Sequence, residues 1–428
     1  MQDDQTERDL EISRMGGIFQ NAYLVVIAAS PPSPYLGYLA NNLYARGEDD
    51  RQGHVWRESL VRYGNLSIET VRFRKAVHSR ASGKDACALL KIGKRAWTYQ
   101  ERVLASRCLI LQAREVIWEC RASCFCECGG PALKPPKYET QLLPLQNRRV
   151  DGTKTPPICV RLFADAREAY QFWRDAVKSY SRRDLSFAQD RLPAISTLAL
   201  KIQEAVKDEY LAGLWKGDLV VQLMWRAYPS GSPVTPYETY IAPSWSWASI
   251  PIPTYYNAYP KSFRLLPCAN VLDAVCVPSG LNELGAVQDG SLLLRGPHCE
   301  AKMLICPPNT AYQDQSPHIE LTFDNGIVQR IETNYFESAQ LDGFRVRSVD
   351  MELTSGRSTV TLQRYHVTTK NEQRTCFGKV RLLWLVEDEA LILAYSQRVQ
   401  GAFERIGLLD IDMSLAVHNL TTTDIKLV

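Results

Sequence analysis

Glu101 follows Trp97 by one helical turn in the stretch KRAWTYQERVLASRC, residues 94–108. A glutamate against an aromatic ring suits general acid/base work or a ribose hydroxyl, because a poorly hydrated carboxyl holds its proton to higher pH. Arg95, Arg102 and Arg107 offer the competing role of ion partner. At about 100° per residue, Ala96, Trp97, Tyr99, Val103 and Leu104 fall on one side of this helix, with Gln100 in the middle of that side. A buried amide without partners costs about 1–3 kcal/mol, so Gln100 is expected to hydrogen-bond a neighbouring strand edge and lock the helix onto a sheet. The scaffold reading outweighs the cleft reading, since a satisfied buried amide fixes one packing. Glu101 is the candidate catalytic residue if the domain is an enzyme.

Cys120, Cys124, Cys126 and Cys128 crowd into ECRASCFCECGG. Structural zinc takes separated ligand pairs, and here the spacing is C-x3-C-x-C-x-C with no histidine near. The segment reads as a strand in a reducing compartment, and no metal site is assigned. Trp245 and Trp247 in PSWSWAS would share a face on a strand. Packing at the junction of two regions is preferred over an aromatic ligand platform. His54, His78, His298, His318, His366 and His418 are dispersed, and none forms a recognisable nucleophile motif. Neither G-x-G-x-x-G nor G-x-x-x-x-G-K-S occurs. No cofactor is assigned, and no cofactor-binding residue or small-molecule ligand is specified.

These residues need elements to hold them. The apolar repeat Ile12, Met15, Phe19 and Ala22 predicts a helix over 9–22. YLVVIAAS reads as a strand inside a sheet covered on both faces. Residues 31–65 read as an irregular insertion, the stretch 94–105 as helix, and CLILQA and EVIWEC as strands. Alternating helix and strand suggests an α/β domain. Six prolines between residues 131 and 157 mark a linker or surface arm. Helical spacing follows from Leu162 to Tyr180. It recurs from Leu192 to Ile202, with Asp190 as cap and Pro193 in the first turn. It appears a third time in WKGDLVVQLMWRA, which suggests a small helical bundle. After about residue 260 the period changes to that of strands, including GSLLLRG, HIELTF, GKVRLLWLVED, EALILAYS and FERIGLLDI. In GFRVRSVDMEL the alternation changes phase near Ser348, as at a bulge. An antiparallel sandwich or barrel is expected.

The chain has 428 residues, 45% apolar and 23% charged, with a net charge of +3. That balance, without a long basic block, excludes nucleic acid as the expected partner. Short clusters such as SRRD and QNRRV read as solvated surface. No apolar run is long enough to span a bilayer, and the polar start MQDDQTERDLEIS has no signal-peptide pattern. A cytoplasmic protein is expected, its 12 cysteines mostly buried thiols.

Several segments together resemble the fungal heterokaryon-incompatibility (HET) domain family. They are RMGGIFQNAYLVVIAA (14–29), KRAWTYQERVLASRCLIL (94–111) and VIWECRASCFCEC (116–128). YSRRDLSFAQDRLPAISTLA, YLAGLWKGDLVVQLMWR, APSWSWAS and FERIGLLDI resemble stretches that follow such domains. The matching motif residues are Arg95, Trp97, Gln100, Glu101, Arg107, Trp118 and Cys120. The family pattern has earlier strands that this chain lacks, so an N-terminally truncated domain is expected, spanning 1–130. A linker at 131–160, a helical region at 161–250 and an antiparallel β domain at 260–428 would follow. The resemblance implies a role in non-self recognition linked to programmed cell death, through protein partners or self-assembly, impaired if the first strands are needed. It also implies a partial, TIR-like, doubly wound α/β sheet. Two alternatives are a TIR-like NAD-cleaving enzyme, with Glu101 as its carboxylate, and an inactive paralogue.

Overall fold

The computed structural model describes residues 5–28, 57–63, 67–73, 92–111, 116–120, 124–126, 163, 165–227, 237–257, 266–306, 318–323, 328–332, 346–347, 360–362, 365–366, 368–369, 375–396, 398–411, 413–414 and 420–428. The chain divides into two compact units: Met15–Arg161, and Met1–Arg14 with Leu162–Val428. The expected linker at 131–160, Cys128 and the bulge near Ser348 lie outside the described residues.

Helix α1 (Gln5–Asn21) runs across the division. In the unit Met15–Arg161 follow β1 (Val25–Ala28), β2 (Arg57–Tyr63), β3 (Ser67–Phe73), α2 (Trp97–Leu104), β4 (Arg107–Leu111), β5 (Val116–Cys120) and β6 (Cys124–Cys126). A small mixed sheet has the order β1-β4-β5-β6. β1 runs parallel to β4, whereas β4–β5 and β5–β6 are antiparallel. The connections explain this: the few residues between Leu111 and Val116, and between Cys120 and Cys124, permit only hairpins, since a parallel return needs a crossover of a dozen or more residues. The expectation of a doubly wound parallel sheet is met only in the β1–β4 pair.

Alternation in β4 and β5 turns Cys108, Ile110 and Ile117 inward against Val25, Ile27 and Ala105. β1 departs from its expected place inside the sheet. It lies at the edge of the described strands, and Val26 is 56% exposed. The stretch read as irregular insertion contains β2, which pairs antiparallel with β3 from Arg57↔Phe73 to Tyr63↔Ser67. The missed signal is Gly64–Asn65 between two runs containing Val, Ile and Tyr.

The second unit opens with α3 (Ala166–Tyr180), whose capping residue Asp165 accepts from the Glu168 amide at 2.8 Å. Its buried stripe is Ala169, Phe172, Trp173, Ala176, Val177 and Tyr180. α4 (Pro193–Val206) packs against it, with Pro193 in its first turn as expected. Asp190 does not cap α4. Leu192 holds that position in helical conformation, and Asp190 belongs to the preceding 3-10 turn. The SRRD cluster is not wholly solvated, since Ser181 and Arg183 are buried. The Ser181 hydroxyl takes the Thr254 amide at 2.8 Å and donates to the Thr254 carbonyl at 3.3 Å, drawing the end of α3 under that segment.

β7 (Tyr210–Leu211) and β8 (Leu214–Trp215) form a tight hairpin, and α5 (Leu219–Gln222) is a single turn. The expected third helix is thus much shorter. The Gln222 side chain accepts from the Trp215 amide at 3.1 Å, and β9 (Arg226–Ala227) leaves to pair with β10 (Thr254–Tyr255). A short apolar run such as LVVQLMW carries no period able to choose between helix and strand. Two helices and a hairpin replace the expected bundle.

The remaining strands are β11 (Asn270–Pro278), β12 (Val287–Cys306), β13 (His318–Phe323), β14 (Val328–Glu332), β15 (Val346–Arg347), β16 (Val360–Leu362), β17 (Tyr365–His366), β18 (Thr368–Thr369), β19 (Thr375–Val386), β20 (Glu389–Tyr395), β21 (Phe403–Asp410) and β22 (Thr421–Leu427). All but the β15–β17 pair join one 10-stranded, largely antiparallel sheet. Its pairings return on themselves, from β12 through β22, β21, β20 and β19 back to β12. The expected barrel alternative is the one this ring realises. β12 is long enough to carry neighbours end to end, β11 then β19 on one side and β22 then β13 on the other. Ala390, Leu391, Ile392 and Leu393 of β20 are consecutively buried, so that strand is covered on both faces.

Candidate functional site

A 3-10 turn at Ile92–Lys94 leads into α2. Ala96 takes the N-cap position without a side-chain cap, and the Thr98 hydroxyl donates to the Arg95 carbonyl at 2.7 Å. Ala96, Tyr99, Gln100 and Leu104 are buried, while Trp97, Glu101 and Val103 are half-buried along the edge. The helical stripe is therefore the one that the spacing predicts. Gln100 is 1% exposed, yet neither its Nε2 nor its Oε1 has a hydrogen-bond partner. The expected bond to a strand edge is absent.

The three arginines divide among different partners. Arg95 is the charge that bears on Glu101. Burial raises the Glu101 carboxyl above its ordinary value, and Arg95 only partly opposes that rise. Arg102 instead grips Glu119 with two bonds, Nε to Oε2 at 2.9 Å and Nη2 to Oε1 at 3.2 Å. Both side chains are 11% exposed, and the fork pins α2 to β5. Arg107 donates to the Tyr23 carbonyl at 3.4 Å and lies over the Tyr23 ring at 4.9 Å. The Ser106 hydroxyl donates to the Ala22 carbonyl at 3.3 Å, a second tie between the start of β4 and the entry to β1.

Trp118 is half-buried and stands across from Leu109 and Phe125, and Cys120 stands across from Arg107. The structure thus gathers Trp97, Gln100 and Glu101 on one helix, with Arg95 just ahead of its N-cap, and places Arg107, Trp118 and Cys120 on the sheet. Glu119 escaped the sequence reading. Its signal was present, because alternation in VIWEC puts Glu119 on the inward face with Ile117. A carboxylate on that face calls for a cation. Chemically, the arrangement offers one half-buried carboxyl with a raised pKa, one helical turn from an indole, on a helix clamped by a forked ion pair.

Trp245 and Trp247 are not on a strand. They lie in a turn leading into the 3-10 segment Trp247–Ser249, both fully buried. The Trp247 and Trp173 indoles donate to the same Gly213 carbonyl, at 2.9 Å and 2.8 Å. The segment therefore packs where α3, the β7–β8 hairpin and the barrel meet, as the junction reading expects. No group of three or more metal-ligating side chains occurs among the described residues. Nor, among them, is any helix long and apolar enough to cross a membrane.

A second buried polar locus was invisible to spacing. Arg226 sends Nη2 to Asp410 and, at 3.4 Å, to Glu389. Arg405 donates to the carbonyls of Leu223 and Trp225. Burial pushes the Arg405 guanidinium well below its ordinary range, with no carboxylate among its hydrogen-bond acceptors to offset it.

Residues 1–101 match the family described as Heterokaryon incompatibility protein (HET), so the chain carries a HET domain over that stretch. No curated protein matches this chain, and no solved structure does. The match ends within α2 at Glu101. It takes in Arg95, Trp97 and Gln100, and leaves Arg107, Trp118 and Cys120 beyond it.

Proposed function

We propose that this is a fungal non-self recognition protein that links heterokaryon incompatibility to programmed cell death. The HET domain at residues 1–101 carries the reading. In it, the α/β part acts by signalling or assembly with protein partners in the cytoplasm. The domain continues to about residue 130, through the strands that α2 is pinned to, and a linker follows to about 160. The helical region at 161–250 and the β region at 260–428 sense or regulate. The Arg102–Glu119 fork supports a scaffold role for α2, since it holds the helix to β5 by a two-bond ion pair. Inducible expression in a filamentous fungus tests this, comparing the wild type with Glu101→Ala. Death from both chains alike is the expected result, and survival of cells expressing the wild type would remove the death-inducing role.

One observation favours a second reading. Glu101 keeps its proton to higher pH than an ordinary glutamate and is flanked by Trp97 one turn away. A TIR-like cleavage of NAD needs a carboxylate at the nicotinamide ribose, and Glu101 is the residue for it. Under this reading the sheet is a partial TIR-like one. Purified full chain incubated with NAD would release nicotinamide, and Glu101→Gln would abolish the release.

A further inference from the structure

His298 is the one residue of β12 that faces both neighbours at the closure of the ring, with Leu383 of β19 on one side and Thr421 of β22 on the other. It is 4% exposed. Its Nε2 lies 2.7 Å from the Thr423 hydroxyl and its Nδ1 lies 3.2 Å from the Thr421 hydroxyl. A neutral imidazole donates through one nitrogen and accepts through the other, so the two hydroxyls and the ring form a directed chain. The Thr421 hydroxyl also reaches the His298 carbonyl, at 3.4 Å. The contact sits at the end of the β12–β22 pairing, where β22 has little else to hold it. Its pairing with β21 is the single register Phe403↔Leu427, so among the described strands Thr421–Asp424 have a neighbour only in β12.

We infer that His298 is an acid-sensitive latch: protonation of its ring frees the Thr421–Thr423 end of β22 from β12 and opens the ring at its closure. The charged groups around the imidazole set the direction. From β19, Arg381 bears on it; from β12, Glu300 does; β22 turns the Thr421 and Thr423 hydroxyls to the ring, while its Asp424 is paired with Arg295 of β12. Glu300 is already engaged by Arg381 at 2.8 Å, Lys379 at 3.5 Å and the Tyr395 hydroxyl at 3.3 Å. A proton on His298 therefore adds a second cation beside Arg381 in a place closed to water. It also obliges the threonine hydroxyl that donates to the neutral ring to turn and accept. Burial and Arg381 together hold the ring below its ordinary pKa, in line with that cost. Neutral His298 contributes stability that is complete above the unfolded value of about 6.5 and lost as pH falls through the lower folded value. The device lies in the region proposed above to sense or regulate, but it stands on this geometry alone.

Hydrogen–deuterium exchange of the full chain at pH 7.5 and pH 5.5, corrected for intrinsic rates, reads it directly. In the wild type, protection of residues 421–424 should fall by up to about tenfold at the lower pH, the most that one proton linked at 6.5 can supply over that span. His298→Gln or His298→Asn, which keep a hydrogen-bonding side chain but do not titrate, should remove the pH dependence. Glu300→Gln should deepen the loss of protection at pH 5.5, by withdrawing the carboxylate that favours the charged ring in the closed state. Unchanged protection in the wild type, or the same loss in either His298 variant, would overturn the latch.

Discussion

Arg405 lies against the face of Trp225, its guanidinium carbon 3.7 Å from the ring centroid, and donates to the carbonyl of that same residue. The next residue, Arg226, points the other way, to Asp410 and Glu389. The segment after α5 and the barrel strands thus exchange arginines. Each guanidinium crosses into the other's layer, Arg405 to backbone carbonyls and Arg226 to carboxylates. The helices and the barrel accordingly fall in one compact unit.

That exchange predicts large and different losses. Arg405→Met leaves the carbonyls of Leu223 and Trp225 without these donors, at about 1–3 kcal/mol each. Arg226→Met removes the guanidinium that Asp410 and the buried Glu389 share, and breaking such a buried pair from one side costs about 3–5 kcal/mol. Urea denaturation of the full chain, followed by tryptophan emission, measures both. Losses under about 1 kcal/mol would show that the exchanged arginines are not what joins the two layers.

Gly213 gives a sharper local test. Its φ of +100° suits glycine, and an added Cβ would meet the Trp247 Nε1 at 2.7 Å. Its carbonyl is the shared acceptor for Trp173 and Trp247, so a shift there loosens two indoles at once. Gly213→Ala should cost at least about 3 kcal/mol, since backbone strain and a lost buried network act together. The checks are the unfolding midpoint and a red shift in tryptophan emission.

Much of this fold was legible, and the failures have physical causes. The α2 stripe, the α3 stripe and the later strands follow from periods of 3.6 and 2, because burial on one face imposes them. Asp190 failed as a cap because a 3-10 turn intervenes before Pro193, and cap signals do not count turns. WKGDLVVQLMWRA failed because its apolar residues fit helix and strand equally. In the candidate site, the positions of Trp97, Gln100 and Glu101 were readable from one helix, whereas the Arg102–Glu119 fork spans a helix and a strand. Pairings of that kind, like Arg226 with Asp410, depend on which elements meet, which local spacing does not encode.

Gln100 carries a prediction opposite to the usual one for a buried polar residue. Both of its amide atoms are buried without partners, so the folded chain bears their desolvation with no return. Gln100→Leu or Gln100→Met keeps the volume and removes the penalty, and should stabilise the chain by about 1–3 kcal/mol. Thermal melts of the full chain decide it. If the stabilised variant also loses its cell-death phenotype, the amide is kept for function at the expense of stability. If it is instead destabilised, the amide is hydrogen-bonded in the folded chain.

Glu101 closes the series through its pH dependence. Burial raises its folded-state pKa above the ordinary 4.5, with Arg95 only partly opposing. The folded chain therefore holds this proton more tightly than the unfolded chain. By linkage, the contribution of Glu101 to stability is greatest below 4.5 and is lost as pH rises through the raised folded value. This is the reverse of an ion-paired carboxylate such as Glu300, whose folded pKa is depressed, chiefly by its bond from Arg381. Glu101→Gln holds a neutral side chain at every pH, so it should be more stable than the wild type near neutrality, with the gap closing as pH approaches 4.5. Melting midpoints of both chains across pH 4 to 7 give the difference directly, cancelling every other titrating group. A gap that widens on acidification would mean that Glu101 is ion-paired after all, and would leave the NAD-cleaving reading without its proton-holding carboxyl.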